Sequence, residues 1–284
     1  MEQFFIYNGK LVPSGTPVFT ASNRAFRFGD SLFETIRLNK GHLALLDLHL
    51  DRLFLGMKTL GLEVPIGFDH RFLEEAILRL AYTNGHTEFG RVRLTVFRKD
   101  GGFNDPVSSH PEWTIECNSL PGHYQHLNED GYHIDIDLTN TKGKGPLSNI
   151  KSGNYLVYIL AAERARELQV NECLVLNSDG RIADSSIFNL FLIRNQIIYT
   201  PSLQESPVAG VMRRHVIQHF ELSGNPVRES AISITDLEGA DEVFLTNALF
   251  GIRWVKSFRS FQYGNKMTRQ IYSDLFQQNN HQVV

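Results

Sequence analysis

Leu147-Ser148-Asn149-Ile150-Lys151-Ser152-Gly153-Asn154-Tyr155-Leu156 sets a lysine between a polar, glycine-containing segment and an apolar run that continues through Val157 and Ile159. Schiff-base chemistry needs an amine that sheds its proton near neutral pH, and burial beside apolar side chains favours this by making the ammonium costly. The chain holds 28 Lys and Arg in 284 residues, so the surroundings of Lys151 must decide whether it is more than a solvated side chain.

The length suits one large or two modest domains, each with its own core. A net charge of -3 with no long block of one sign argues against nucleic acid and anionic membrane as partners. Cys117 and Cys173 lack paired spacing, which fits a reducing, cytoplasmic setting rather than a disulfide framework. The opening residues Met1-Glu2-Gln3 and the short run Phe4 to Tyr7 lack the pattern of a signal peptide, and no run of eighteen apolar residues predicts a spanning helix.

Phe4 to Tyr7, Asn8-Gly9 and Lys10 to Val12 predict a hairpin, since Asn-Gly accepts the positive φ of a two-residue turn. Apolar spacing predicts helices over 48–60 and 72–82, and alternation predicts strands at 92–96 and 113–117. These make a small α+β domain, 1–118. Residues 119–130, with Pro121-Gly122, predict an interdomain linker, and alternation from Tyr132 to Leu138 opens a second, large domain, 131–284. It continues with helices over 154–168, 211–222 and 267–276, and strands at 172–176, 187–193 and 242–246.

Several features besides Lys151 suit one cofactor. Asp184 stands at the edge of the apolar run Ile187 to Leu192, and a buried carboxylate wants a cationic partner, which a protonated pyridine nitrogen supplies. Pro207-Val208-Ala209-Gly210-Val211-Met212 has the form of a glycine loop opening a helix, whose free N–H groups suit phosphate. Thr246-Asn247-Ala248 adds donors at a strand end, and Arg52, on the polar side of its helix, is a candidate phosphate fork.

Taken in order, the hairpin, Arg27-Phe28-Gly29-Asp30-Ser31-Leu32-Phe33-Glu34-Thr35, His49-Leu50-Asp51-Arg52-Leu53, Lys151-Ser152-Gly153-Asn154, Asp184 followed by Asn189, Gly210-Val211-Met212-Arg213 and Asp241 to Ala248 resemble the fold-type IV, or class IV aminotransferase, family over nearly the whole chain. That family contains branched-chain and D-amino-acid aminotransferases and aminodeoxychorismate lyases. The resemblance implies an α+β fold of two domains with the active site between them, a homodimer, and pyridoxal 5'-phosphate on Lys151, which moves a proton at the substrate Cα. It implies cofactor binding by Arg52, Tyr155, Asp184, Asn189, Gly210, Val211, Met212, Thr246, Asn247 and Ala248. One departure stands out: the family usually has glutamate where this chain has Asp184.

For the substrate carboxylate the candidates are Arg27, beside Phe28, and Arg91 and Arg93, which alternation places on one polar strand face. Asn154 three residues after Lys151, the stretch Thr246-Asn247-Ala248-Leu249 and the loop Arg98 to Phe103 resemble the lyases, which expel pyruvate from 4-amino-4-deoxychorismate and leave 4-aminobenzoate. The D-amino-acid aminotransferases share the Lys151 to Asn154 spacing, so transfer of the amino group to 2-oxoglutarate is the alternative, and a catalytically silent homologue is a remote one. His123 and His126 lack a third ligand nearby, so no metal is expected. Ser185-Ser186 lacks the glycine frame of a hydrolase elbow.

Overall fold

The computed structural model describes residues 2–276. The chain divides into two compact units, one running up to Gly122 and taking in Ile150–Asn154, the other made of His123–Asn149 and the described residues from Tyr155 to Phe276. No described helix is long and apolar enough to cross a membrane.

The first unit opens with β1 (Phe4–Tyr7) and β2 (Lys10–Pro13), joined by Asn8 and Gly9 at φ 46° and 83°, the two positive angles that a hairpin turn of this hand demands. It continues through α1 (Arg24–Phe28), β3 (Ser31–Asn39), β4 (His42–Leu43), α2 (Leu46–Thr59), α3 (His70–Asn84), β5 (Phe89–Arg98) and β6 (Pro111–Ser119). The strands form an antiparallel sheet in the order β2-β1-β6-β5-β3-β4.

Alternation on β3, β5 and β6 turns Leu32, Ile36, Leu38, Val92, Leu94, Val96, Trp113 and Ile115 into one core with Leu50, Leu53 and Met57 of α2 and Leu73, Ile77 and Leu80 of α3. Burying each of the three α3 residues contributes about 2 kcal/mol. Both ends of α3 reach beyond the apolar stripe that predicts it, because Asp69 caps the Phe72 N–H and Gly85, at φ 71°, closes the last turn.

The second unit holds β7 (Tyr132–Lys142), α4 (Leu156–Glu167), β8 (Glu172–Asn177), β9 (Ile182–Ser185), β10 (Asn189–Arg194), β11 (Ile197–Pro201), α5 (Val211–Leu222), β12 (Arg228–Ser230), α6 (Ile234–Glu238), β13 (Glu242–Asn247), β14 (Gly251–Phe258), β15 (Phe261–Gln262) and α7 (Lys266–Phe276). Its sheet runs β12-β11-β10-β13-β14-β7-β8-β9, with β15 on β14. Residues 277–284, which the sequence assigns to the large domain, lie outside the described residues.

The strand expected from Ile187 starts later than that, at Asn189. A turn in which Ser185 N–H donates to the Phe188 carbonyl and the Ser185 hydroxyl accepts from Phe188 N–H separates it from β9. Asp184 therefore lies inside β9, opposite Val175 of β8, and not at the edge of β10.

Candidate active site

Two sets of functional side chains are built, one in each unit.

In the first unit, Lys151 is fixed to the start of β3. The Phe33 N–H donates to the Lys151 carbonyl and the Gly153 N–H to the Ser31 carbonyl, each at 2.9 Å, so that Ser152 pairs with Leu32 as a short antiparallel bridge. This docking needs two glycines. A Cβ on Gly29, at φ 65°, would lie 2.6 Å from Asn154 Oδ1, and one on Gly153 would collide with the Ser31 hydroxyl. The Arg27 to Glu34 motif is thus legible as a platform for the lysine segment.

Phe33 points to the face of the sheet opposite α2 and α3, and the Lys151 ammonium lies 4.5 Å from the centre of its ring. At the apolar start of α4, Leu156 is 73% exposed and Ile159 49%. Arg93 reaches the same Phe33 ring at 4.0 Å, and β-pairing sets Arg93 opposite Thr35 and Arg91 opposite Arg37 on that face. Arg27 stands at the exposed end of α1, its Nε donating to the Ala21 carbonyl at 2.8 Å, while the neighbouring Phe28 packs under Arg24.

Glu34 points the other way, into the core between Leu32 and Ile36, where a lone carboxylate would be costly. Two residues three apart on α2 meet it. Arg52 donates from Nε to Oε1 at 2.9 Å and from Nη2 to Oε2 at 2.5 Å, and His49 Nδ1 lies 2.6 Å from Oε2. Arg52 is therefore not on a polar helix face: its side chain is 11% exposed and paired with β3.

Burial pushes the Glu34 carboxyl up, but the Arg52 guanidinium and the hydrogen bonds from His49 and Arg52 outweigh it and hold it at about 2. Burial also pushes His49 down, so the neutral ring donates from Nδ1 to Glu34; its buried Nε2 has no partner among the described residues. The pattern Leu32-x-Glu34-x-Ile36, a carboxylate inside an apolar alternation, is the signal for this cluster, and reading only Arg52 misses Glu34 and His49.

In the second unit, Asp184 is the centre. Its Oδ2 accepts from Val208 N–H at 2.8 Å, Tyr158 Oη at 3.0 Å and Lys142 Nζ at 3.3 Å, whereas its Oδ1 is buried without a partner among the described residues. The cation that the sequence reading asks for at Asp184 is already present as Lys142, at the end of β7, which also bonds to Tyr158. No pattern around Lys142, in the stretch Lys142-Gly143-Lys144-Gly145-Pro146, announces this.

Gly210 precedes α5 with no side chain capping the helix, so the N–H groups of Val211 and Met212 remain for an anion. A Cβ on Gly210 would collide with Asn189 Oδ1, while Asn189 Nδ2 donates to the Val208 carbonyl at 2.9 Å; Asn189 is a brace for this loop. Thr246, next to last in β13, has a buried hydroxyl with no partner among the described residues, and Asn247 Oδ1 accepts from the N–H groups of Leu249 and Phe250 to shape the turn that contains Ala248. Tyr155 donates to the Ser186 carbonyl at 3.2 Å, and burial raises the Glu172 carboxyl beside Ser186 to about 7.

Residues 31–258 match the family model for amino-transferase class IV. The chain belongs to the class IV aminotransferases. It is accordingly an enzyme of a pyridoxal-phosphate-dependent family.

Among curated relatives, the aminodeoxychorismate lyase of Vibrio harveyi is 28% identical over 261 residues, covering 89% of this chain and 94% of the relative. Among solved structures, 4-amino-4-deoxychorismate lyase from Pseudomonas aeruginosa superposes with a TM-score of 0.83 at 26% identity, over 98% of this chain and 100% of the other. The branched-chain amino acid aminotransferase of Escherichia coli superposes at 0.88 with 25% identity, over 98% and 95%. The fold of this class IV aminotransferase is thus common to lyases and transaminases.

Proposed function

We propose that this protein is a 4-amino-4-deoxychorismate lyase that forms 4-aminobenzoate and pyruvate with pyridoxal phosphate held on Lys151. The observation that carries the reading is its correspondence with aminodeoxychorismate lyases along nearly their whole length, at 94% of one and 100% of another. Asn154 three residues after Lys151 and the turn Thr246-Asn247-Ala248-Leu249 support it.

Three features of the second unit fit the cofactor. Asp184 Oδ1 is a bare buried acceptor for a protonated ring nitrogen, Thr246 Oγ1 is a bare buried hydroxyl, and α5 begins with uncapped N–H groups suited to phosphate. Arg52 adds a guanidinium whose orientation Glu34 fixes. Tyr155 and Asn189 complete the cofactor set, Asn189 by bracing Gly210.

Pyridoxal phosphate supplies an electron sink for the pair left when a proton leaves the carbon bearing the substrate amine. Lys151 Nζ takes that proton, and its anchorage to β3 through Phe33 and Ser31 keeps it in one place while it does so. The ring carbon–oxygen bond then breaks, the ring becomes aromatic, and the departing enolpyruvate gains a proton to become pyruvate. Arg27, with Phe28, and Arg91 and Arg93 on the Phe33 face are the proposed carboxylate contacts.

Leu156, Ile159 and Leu160 form an exposed apolar stripe along α4, which supports assembly as a homodimer. Transamination is the second reading, favoured by the TM-score of 0.88 with the branched-chain enzyme. Purified protein given aminodeoxychorismate without any amino acceptor tests the choice. Pyruvate and 4-aminobenzoate in equal amounts support the lyase; no product there, with keto acid formed from D-alanine or L-leucine only when 2-oxoglutarate is added, overturns it.

A further inference from the structure

The second unit buries a lysine that the proposed chemistry does not use. Lys142 is 8% exposed and ends β7, where a register shift between Asp137 and Thr141 brings it opposite Asn177. Its ammonium has left water to meet Tyr158 of α4 and Asp184 of β9, with Nζ 5.0 Å from the centre of the Tyr158 ring. Tyr155, with its ring 4.6 Å from that of Tyr158, and Cys173, packed in the same cluster, are further titratable neighbours.

The asymmetry at Asp184 is the informative point. A carboxylate offers about four lone-pair positions over two oxygens. Here three donors crowd Oδ2 and none among the described residues reaches Oδ1, although both oxygens are buried. A bare buried acceptor is expensive, and the arrangement holds it bare by fixing the side chain from the other oxygen. That oxygen suits a donor which does not belong to the chain.

We propose that Lys142 is a positioning residue for the cofactor ring: with Tyr158 it clamps Asp184 by Oδ2, presents Oδ1 to the ring nitrogen, and draws off part of the carboxylate charge that nitrogen would otherwise feel. The proposal rests on the reading that Asp184 meets the ring nitrogen of pyridoxal phosphate. A carboxylate alone favours a protonated ring nitrogen; an ammonium on the same carboxylate opposes it. Lys142 therefore tempers the electron sink, and Tyr158 fixes the geometry in which it does so. Burial lowers Lys142 against the pull of Asp184, and the ion pair with Asp184 Oδ2 is the observation that speaks for the ammonium; burial raises Tyr158 well above the ordinary phenol, which fits a neutral hydroxyl donor.

The test is nitrogen-15 NMR of ring-labelled pyridoxal phosphate bound to the full chain, followed as a function of pH in wild type, Lys142→Met, Lys142→Arg, Tyr158→Phe and Asp184→Asn. Lys142→Met is expected to hold the ring proton to a pH about one to two units higher than wild type. Lys142→Arg should restore the wild-type titration, and Asp184→Asn should move it to lower pH. If Asp184→Asn moves the titration and Lys142→Met does not, the role of Lys142 is overturned while the placement of Asp184 stands. If Asp184→Asn leaves it unchanged, the placement itself falls, and the proposal with it. Should Lys142→Met fail to fold, Tyr158→Phe carries the test: a smaller shift to higher pH supports the clamp, and an unchanged titration overturns it.

Discussion

The Lys151 ammonium lies 4.5 Å from the centre of the Phe33 ring, and the backbones of the same two residues are joined by a 2.9 Å hydrogen bond. The aromatic face thus both seats the lysine and belongs to the strand that carries its anchor. Phe33→Leu keeps the strand pairing and removes the ring, a loss of about 1 kcal/mol of cation–π attraction. Turnover is expected to fall about fivefold with cofactor still bound, which steady-state kinetics and the cofactor absorbance together would check.

Gly153 has no room for a side chain, because a Cβ would strike the Ser31 hydroxyl and come within 3.1 Å of the Gly29 carbonyl. Gly153→Ala should displace the Lys151 anchor and lower turnover by about a hundredfold. Adding Ser31→Gly removes the worse of the two contacts and should recover part of the activity; no recovery would place the defect elsewhere.

Glu34 and Arg52 form a buried pair, with side chains 1% and 11% exposed. Glu34→Gln leaves the guanidinium without its counter-charge and should cost about 3 kcal/mol in denaturant unfolding. The wild-type pair also has a pH signature. The folded Glu34 carboxyl titrates at about 2, below its ordinary value of 4.5, so its contribution is present above pH 4.5 and is lost as pH falls towards 2. The variant should lack that part of the acid slope.

Glu172 carries the opposite sign. Burial raises its carboxyl from 4.5 to about 7, so the folded state holds a proton that the unfolded state releases. Stability is greatest below pH 4.5 on this account and declines by about 3 kcal/mol as pH rises through 7. Glu172→Gln keeps an uncharged side chain at every pH and should flatten unfolding free energy between pH 5 and 8; an unaltered slope would contradict the assignment.

The hairpin at Asn8-Gly9, the stripe of α3 and the whole of α5 were legible in the sequence because each has an undisturbed period and its own stop signal. β14 was not. Its pattern is broken by a register shift between Val255 and Ser257 and by Arg253, which is buried and satisfied by the carbonyls of His126, Phe250 and Ile252. β3 hid in a motif, since eight of its nine residues are buried and alternation fades when both faces are covered.

The candidate site divides in the same way. Lys151, Gly210 and Thr246 announce themselves by loop and helix grammar, which is local. Glu34 with His49 and Lys142 with Asp184 are separated by 15 and 42 residues, and only the fold brings them into contact.

Two lysines, Lys151 and Lys142, are set into ordered surroundings, and the account makes the first the cofactor amine and the second a clamp. Borohydride reduction of the pyridoxal-phosphate-loaded protein, followed by peptide mass mapping, separates them. The account predicts a single pyridoxyl label, on the peptide containing Lys151; a label on Lys142, or a protein that takes up no cofactor, would contradict it.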